Sequence, residues 1–394
     1  MSIRLQSAVA AAVAVMAWIV VRLTMVSTTR DDILESRRIG RLMDAGLIPY
    51  RDFDVHSTPL ATGLSWAIAL IPGSATAVDA SLIAIALAVG AAATWAVARH
   101  LGLRTWRCLL ATTLVAGAPL VVEAAATMRE DVLLTALVAC ALLAALQGRF
   151  RWMWAMLTVA AAIGVAMIAL FPVAAVWHGA RRGRGQATTA VVVALGALAL
   201  TVLAAIAASP AGAWHLARVH LAGPLDGERL GAAMIRAAHL PFRPLVGGEG
   251  SDMIGAVPTV VAVASTAAML AAIIAIVVLT ARVRPADHGM VGALAATALA
   301  TQALGATFAP GHAMWLIPAA SLIPGRLGSV CAVAVTVAVL MVRLVPVDLM
   351  ELVSAQTTFI LVLQAVAVAL ALVTAAAAIM TRQPSQGRKR PQTA

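Results

Sequence analysis

The feature that most constrains this chain is a succession of apolar runs, several of them as long as a membrane-spanning helix. A spanning helix needs about 20 apolar residues, because it rises about 1.5 Å per residue through a hydrocarbon layer about 30 Å thick. Only helices and closed barrels satisfy their backbone in lipid, and runs of this length indicate helices. The runs cover residues 8–26, 76–98, 106–122, 130–146, 152–180, 188–208, 254–280, 289–308, 312–324, 328–346 and 357–380. The sequence therefore predicts an all-α, polytopic membrane protein.

The charged residues exclude other classes of protein. A soluble protein carries about a quarter charged residues, whereas this chain has 11%, too few to cover a globular surface. The net charge of +11 reflects a basic set that is almost entirely arginine, and many of these arginines lie in short loops between apolar runs. Such loops signal membrane topology rather than a groove for nucleic acid, so we expect no nucleic-acid partner. The three cysteines fall inside apolar runs, which excludes a zinc spacing and a disulfide framework.

Basic turns define the predicted topology, because short loops rich in Arg and Lys stay in the cytoplasm. The run 152–180 is basic at both ends and contains Phe171-Pro172, so we predict two short helices that meet near this proline. Both termini are then cytoplasmic, and the chain has about twelve membrane segments within a range of roughly ten to thirteen. The basic turns are residues 99–107, 149–151, 181–184, 282–284, 326 and 388–390.

Acidic residues gather on the opposite side in this topology. Of the 17 acids, only Asp287 is predicted to be cytoplasmic. The positive-inside rule barely restricts acids, so their segregation indicates a polar, working outer face. The others lie in residues 27–58, at Asp79, and in residues 123–131, 209–253 and 348–351.

The first outer loop, residues 27–58, is predicted to contain an amphipathic helix in the membrane interface. Gly46 is expected to end that helix, and a second helical piece, residues 60–71, is too short to span. We predict one transmembrane domain over residues 1–381, with outer loops 27–58 and 209–253, and a disordered cytoplasmic tail over residues 382–394.

Two acidic groups stand at predicted helix mouths, and each has a plain structural explanation. Asp31 and Asp32 follow the first spanning helix and could remove a proton from a hydroxyl nucleophile. However, Thr29-x-x-Asp32 also matches a capping box. Arg129, Glu130 and Asp131 begin the fourth spanning helix, where charges are costly unless they face a cavity or one another. A cap starting at Thr127 explains Glu130 and leaves the other two unexplained.

Cationic candidates lie on the same predicted side. His312 occupies an outer turn between two apolar runs, either as a structural histidine or at the depth of the acids. The loop 209–253 carries several arginines and histidines that could hold an anionic phosphate. The alternative is a loop that contacts solvent or lipid headgroups. The arginines and histidines of that loop are Arg218, Arg229, Arg236, Arg243, His215, His220 and His239.

These features together resemble a known family. The residues Gly46-Leu-Ile-Pro-Tyr-Arg-Asp-Phe53, followed by Pro59-Leu60, resemble the first outer loop of GT-C glycosyltransferases, which use polyprenyl-phosphate sugars. Residues 129–137 look like the second acidic site of that family. The chain is similar to mannosyltransferases of actinobacterial lipoglycan synthesis, and to the protein O-mannosyl and lipid A aminoarabinose transferases. It departs from the family at Thr58-Pro59, where Pro-Pro is usual, and at Ala169-Leu-Phe-Pro172, where Thr-Lys-Gly-Pro is frequent.

The resemblance implies roles for individual residues. Asp31 is then the general base, or shares that role with Asp32, and Asp131 orders the site. The donor phosphate is expected to contact cationic side chains, namely His312, Arg129, Arg218, Arg236 and Arg243. The acceptor and sugar are expected to contact Glu130, Tyr50, Asp52 and His56. No metal is required, although a divalent ion bridging Asp31 and Asp131 stays open.

The function expected from the sequence is inverting transfer of mannose or another sugar from a polyprenyl phosphate to a glycan or glycolipid in the cell envelope. The active site is expected on the extracytoplasmic side of the plasma membrane. Two alternatives stay open. A transporter or flippase of lipid-linked sugars also carries intramembrane charge, although transporters usually show internal repeats. An inactive scaffold of the same fold is the second.

Overall fold

The structure, a computed structural model, describes most of the chain as helix. It covers residues 3–24, 30–53, 55, 57–71, 75–121, 129–214, 235, 238, 241, 243–244, 253–304, 319–323, 325–343 and 355–380. Three helical stretches in these residues are long and apolar enough to cross a membrane: Ala77–His100, Arg184–Ala208 and Ala256–Val283. The predicted all-helical membrane class is confirmed at this level.

The described helices follow the predicted apolar runs closely. The N-terminal half contains α1 (Ile3–Thr24), α2 (Arg30–Asp44), α3 (Pro59–Ala69), α4 (Ala75–His100), α5 (Thr105–Val121) and α6 (Arg129–Leu146). The rest contains α7 (Phe150–Ile163), the 3-10 helix η1 (Val165–Leu170), α8 (Phe171–Arg182), α9 (Arg184–Ala208), α10 (Ala256–Val283), α11 (Asp287–Leu304), α12 (Gly325–Arg343) and α13 (Ala355–Met380).

A pair of very short strands interrupts the helical pattern between α9 and α10. Strand β1 (Arg243–Pro244) pairs antiparallel with β2 (Met253–Ile254), so that Arg243 lies opposite Ile254. The apolar pattern gave no sign of this pairing, because two residues per strand are too few for a recognisable alternation.

Small residues allow the core helices to pack closely, as is usual in membrane bundles. A Cβ on Gly90 of α4 would lie 3.5 Å from the Cα of Ala136 in α6. On α1, the indole of Trp18 donates a hydrogen bond to the carbonyl of Ala80 (3.0 Å). Helix α4 therefore packs against both α1 and α6.

The run 152–180 folds as two short helices that turn back on each other, as predicted. The break differs in position, because α7 ends at Gly164 and η1 fills the interval before Pro172 enters α8 in its first turn. Gly164 allows this break, since a Cβ there would lie 2.8 Å from Cδ1 of Leu134. Proline fits the first turn of a helix, where its missing N–H has no partner to lose.

Aromatic contacts hold the two halves of this hairpin together. The ring of Phe150 stacks on His178 with centroids 4.5 Å apart. The indole of Trp154 donates to Nδ1 of His178 (3.1 Å). Nearer the open end, Arg182 donates to the carbonyl of Gly148 (3.4 Å). The start of α7 and the end of α8 therefore lie together.

Further contacts bring other basic turns to this same end of the bundle. The Arg181 guanidinium pairs with Asp287 at the start of α11, whose carboxylate also accepts from Trp177 (3.3 Å). Close packing places Gly289 beside Ile379 near the end of α13. We name this end the basic end.

Helix α12 links the basic end to the N-terminal helices. Cys331 near its start contacts the carbonyl of Ala371 in α13. Arg107, which is buried, donates to the carbonyls of Ile323 and Gly325 (2.9 Å each). The turn between α4 and α5 therefore lies at the basic end as well.

Candidate functional site

The stretch from Pro49 to Phe53, the most specific part of the family resemblance, folds as a tight turn. The backbone N–H of Tyr50 donates to the carbonyl of Phe53 (3.1 Å), and that of Asp52 donates to the carbonyl of Ile48 (2.9 Å). In return, the Asp52 carboxylate accepts from the Ile48 N–H (2.8 Å). Arg51 holds the same carboxylate through Nε and Nη2, at 2.9 Å each. Asp52 therefore serves the turn itself.

These bonds also set the protonation of Asp52. The Arg51 guanidinium, and after it the Ile48 N–H, hold the pKa of the Asp52 carboxyl below its usual range. Both partners bind the charged form of the carboxyl, which explains the direction of the shift.

Tyr50 projects from this turn into a small apolar cluster. Its backbone has φ of 66°, in the left-handed region that non-glycine residues rarely adopt. Its ring packs with Ile39 of α2 and Ala205 of α9, in a cluster that also contains Val55. The turn thus joins two helices that are far apart in the sequence.

The Tyr50 hydroxyl is bonded within the protein. Its oxygen lies 2.7 Å from the carbonyl of Ser57 and 3.0 Å from the hydroxyl of Thr62, so its single proton can be donated to either group. Burial raises the pKa of the Tyr50 phenol, the bond to Thr62 opposes the rise, and the negative charge of Glu130 adds to it. The ring therefore lies within electrostatic reach of the start of α6.

Thr58 connects this cluster to the break between α7 and η1. As the N-cap of α3, its side-chain oxygen accepts from the N–H of Ala61 (3.4 Å). Its hydroxyl donates to the carbonyls of Ala162 (2.7 Å) and Ile163 (3.0 Å). These carbonyls end a helix and have no partner in the next turn, so Thr58 satisfies groups that would otherwise be costly to bury.

The acidic start of α6 lies beside this break. Asp131 is buried, with 5% of its surface exposed, and Glu130 is half-buried. Thr135 donates to the backbone carbonyl of Asp131 (2.8 Å). One turn below Asp131, Leu134 touches Gly164 at the end of α7. Two predicted site residues, Glu130 and Asp131, are thus within about one turn of the contact between α6 and the helix break.

The other predicted residues are described in part. Asp31 and Asp32 lie in the first turn of α2, and Arg129 opens α6, but their side chains lie outside the described residues. The same holds for the side chain of Arg243 in β1. Thr29 and Thr127, the proposed caps, lie outside the described residues, as do His56, His312, Arg218 and Arg236.

No metal site emerges from the side chains that the structure describes. Among them, no group of three or more His, Cys, Asp or Glu residues lies close enough together to hold an ion. A divalent ion between Asp31 and Asp131 stays a prediction, since the Asp31 side chain falls outside the described residues.

Sequence reasoning did not identify three residues of this region, namely Thr58, Thr62 and Gly212. Gly212 is required by close approach, since a Cβ there would lie 2.1 Å from the carbonyl oxygen of Tyr50. Thr58-Pro59 carried a readable signal, because a threonine N-cap followed by proline marks a helix start. In the comparison with the GT-C pattern, the same two residues are only a departure from the usual Pro-Pro.

The described site is therefore a set of acidic and hydroxyl groups where a helix mouth, a helix break and an outer loop meet. Broken helices at membrane depth are tolerated where they are covered by protein or line a cavity. Neither a protein-family model nor a curated protein matches this chain.

Proposed function

We propose that this protein is an inverting glycosyltransferase of the GT-C type, which moves a sugar from a polyprenyl phosphate to a glycan or glycolipid acceptor. In this proposal the basic end faces the cytoplasm, because short loops rich in arginine are retained there. The site then faces the extracytoplasmic side, and the chain crosses or enters the membrane in about twelve segments. Mannose is the sugar favoured by the family resemblance.

The observation that carries the proposal is the buried carboxyl of Asp131, one turn from the contact between α6 and the helix break at Gly164. Burying a carboxyl at the mouth of an apolar helix is costly, and such residues usually serve function. The Pro-Tyr-Arg-Asp-Phe stretch on which the resemblance rests packs against α2, whose first turn contains Asp31 and Asp32. Asp31 and Asp32 therefore belong to a helix that meets this cluster, and α6, which contains Asp131, meets the helix break at Gly164.

The proposed reaction is a substitution at the anomeric carbon and needs no oxidant or reductant. Asp31 accepts the proton of an acceptor hydroxyl, and the resulting oxygen attacks the anomeric carbon from the face opposite the phosphate. The new bond joins acceptor oxygen to carbon, and the bond between that carbon and the phosphate oxygen breaks. Polyprenyl phosphate leaves with its charge balanced by arginines and His312.

A turnover assay tests the proposal. Purified protein in nanodiscs is incubated with a panel of polyprenyl-phosphate sugars and with glycan and glycolipid acceptors. We expect release of polyprenyl phosphate that depends on an acceptor. Intact donor after long incubation across the whole panel would contradict the transferase. Movement of intact donor between leaflets of a vesicle would instead support a flippase.

A further inference from the structure

Tyr50, the only tyrosine of the chain, has a conformation that its surroundings enforce. Its φ of 66° lies in the left-handed region, which is sterically unfavourable for a non-glycine residue. Such strain persists where several contacts fix it, and it concentrates at functional sites. Here the contacts are the hydrogen bond from the Tyr50 N–H to the Phe53 carbonyl and the close packing of Gly212 against the Tyr50 carbonyl.

The hydroxyl of Tyr50 begins a chain of hydrogen bonds that ends at the helix break. It meets the Thr62 hydroxyl, which donates to the carbonyl of Thr58 (2.9 Å). The Thr58 hydroxyl in turn holds the carbonyls of Ala162 and Ile163. Both groups that can accept the single proton of the Tyr50 hydroxyl, the Thr62 oxygen and the Ser57 carbonyl, belong to the protein, so that hydroxyl is directed away from a sugar.

The far end of this chain supports the first turns of α6. Gly164, which follows Ile163, packs on Leu134, three residues beyond Asp131. At the near end, the charge of Glu130 acts on the Tyr50 ring. Tyr50 is therefore linked to the first turns of α6 through Thr62, Thr58 and the contact between Gly164 and Leu134.

We propose that Tyr50 is a positioning residue, which fixes Glu130 and Asp131 through the Thr62–Thr58 chain and does not itself bind the sugar. This rests on the proposed function only for its effect on turnover. The link between Tyr50 and Glu130 is a property of the folded protein and can be measured without a substrate.

A double-mutant cycle tests the effect on turnover. Tyr50→Phe and Thr62→Val each remove one hydroxyl from the same chain. Each should lower kcat about tenfold, as expected for loss of one buried hydrogen bond, with KM for the donor changed by less than about twofold. Because both changes break one chain, the double variant should also lose about tenfold. Thr280→Val is the matched control, since the hydroxyl of the buried Thr280 bonds only within α10, to Ile276.

Two results of this cycle would overturn the proposal. A loss of about a hundredfold in the double variant would mean that the two hydroxyls act independently. A rise in KM with unchanged kcat would mean that Tyr50 binds substrate, as the family resemblance implied.

A fluorine label tests the link to Glu130 without turnover. Because the chain has one tyrosine, growth on 3-fluorotyrosine places a single ¹⁹F signal at position 50. We expect that signal to move in Glu130→Gln at constant pH, because the substitution removes a negative charge that acts on the ring. Asp44→Asn, an exposed change at the far end of α2, should leave the signal unchanged.

The two readouts separate the two proposals. A signal at the same position in the wild type and in Glu130→Gln would overturn the positioning role, even in an active enzyme. A signal that depends on Glu130, in a protein that consumes no donor, would support the link and contradict the transferase.

Discussion

At the scale of single residues, a catalytic role and a helix-capping role can be distinguished by mutating the acidic pair in the first turn of α2. Asp31→Asn keeps an oxygen that can cap the helix but removes the proton acceptor. We expect sugar transfer to be lost while the thermal midpoint changes little. Turnover and thermal unfolding in nanodiscs measure the two effects separately.

The control for Asp31→Asn is Asp44→Asn, the same substitution at the other end of the same helix, where the residue is exposed. Full activity in Asp31→Asn would move the role of base to Asp32 or contradict the transferase. A large fall in thermal midpoint would instead favour the capping role.

Gly212 gives a prediction about packing. Gly212→Ala would place a Cβ 2.1 Å from the Tyr50 carbonyl oxygen, so one of the two segments must move. Such overpacking costs about 1–3 kcal/mol, and we expect a lower thermal midpoint. Gly196→Ala in α9 is the control, because no atom lies within 4 Å of the added methyl. Equal thermal midpoints for the two variants would show that Gly212 does not pack closely against the Tyr50 carbonyl.

We predict that the stability of the turn containing Tyr50 depends on pH through the Asp52 carboxyl. Its pKa is lowered in the folded protein, so its bonds to Arg51 and Ile48 stabilise the turn above the usual pKa of the carboxyl. They are lost as pH falls through the lowered pKa. Hydrogen exchange at the Ile48 N–H, corrected for intrinsic rates, should accelerate at acid pH. In Asp52→Asn that protection should be weak at every pH, and an unchanged pH dependence there would contradict the assignment.

At the scale of elements, Thr58 joins the start of α3 to the end of α7. Thr58→Val preserves the shape but removes the bonds to Ala162 and Ile163 as well as the N-cap. Loss of these bonds costs about 1–3 kcal/mol, so we expect a lower thermal midpoint. Thr58→Ser keeps the hydroxyl and should lie closer to the wild type. A serine variant as unstable as the valine variant would assign the effect to the lost methyl group.

Helix periodicity and glycine signals predicted most elements, but not how they meet. Gly46 does end α2, with φ of 83°, and α3 has the expected short length. The break in the re-entrant hairpin lies at Gly164 instead of Pro172, because the close contact with Leu134 decides its position. That contact joins residues 30 positions apart, and no local pattern encodes it.

The sequence predicted a site residue only where burial of its side chain in an apolar helix has an evident free-energy cost. Asp131 is a buried charge-bearing group in an apolar helix, and the sequence alone singled it out. The role of Tyr50 depends on φ, on Gly212 and on Thr62, which come from three separate segments. A hydroxyl in a polar loop gives no sign of which backbone carbonyl it will reach.

At the scale of the whole molecule, the contacts at the basic end predict a labelling pattern. Arg149→Cys and Arg184→Cys both create exposed thiols near the open end of the hairpin. Because that end is predicted to be cytoplasmic, an impermeant maleimide added to intact cells should miss both positions. It should reach Asp44→Cys in the first outer loop.

The wild type sets the background for that experiment, since Cys108 and Cys331 are buried and Cys140 is partly exposed. Labelling of only one of the two arginine positions from outside would contradict a hairpin that starts and ends on one side. Labelling of both would invert the proposed orientation.

The hairpin of α7 and α8 has a consequence for how the chain enters the membrane during synthesis. Its tip, residues 164–170, contains only apolar residues, and its two ends lie together at the basic end. The insertion machinery therefore need not carry a charged segment across the bilayer for this part of the chain. Deleting residues 149–183 should leave α9 and every later helix in its original orientation. Deleting a single spanning helix such as α4 would instead reverse the direction in which every later helix crosses the membrane. The hairpin therefore adds no net membrane crossing.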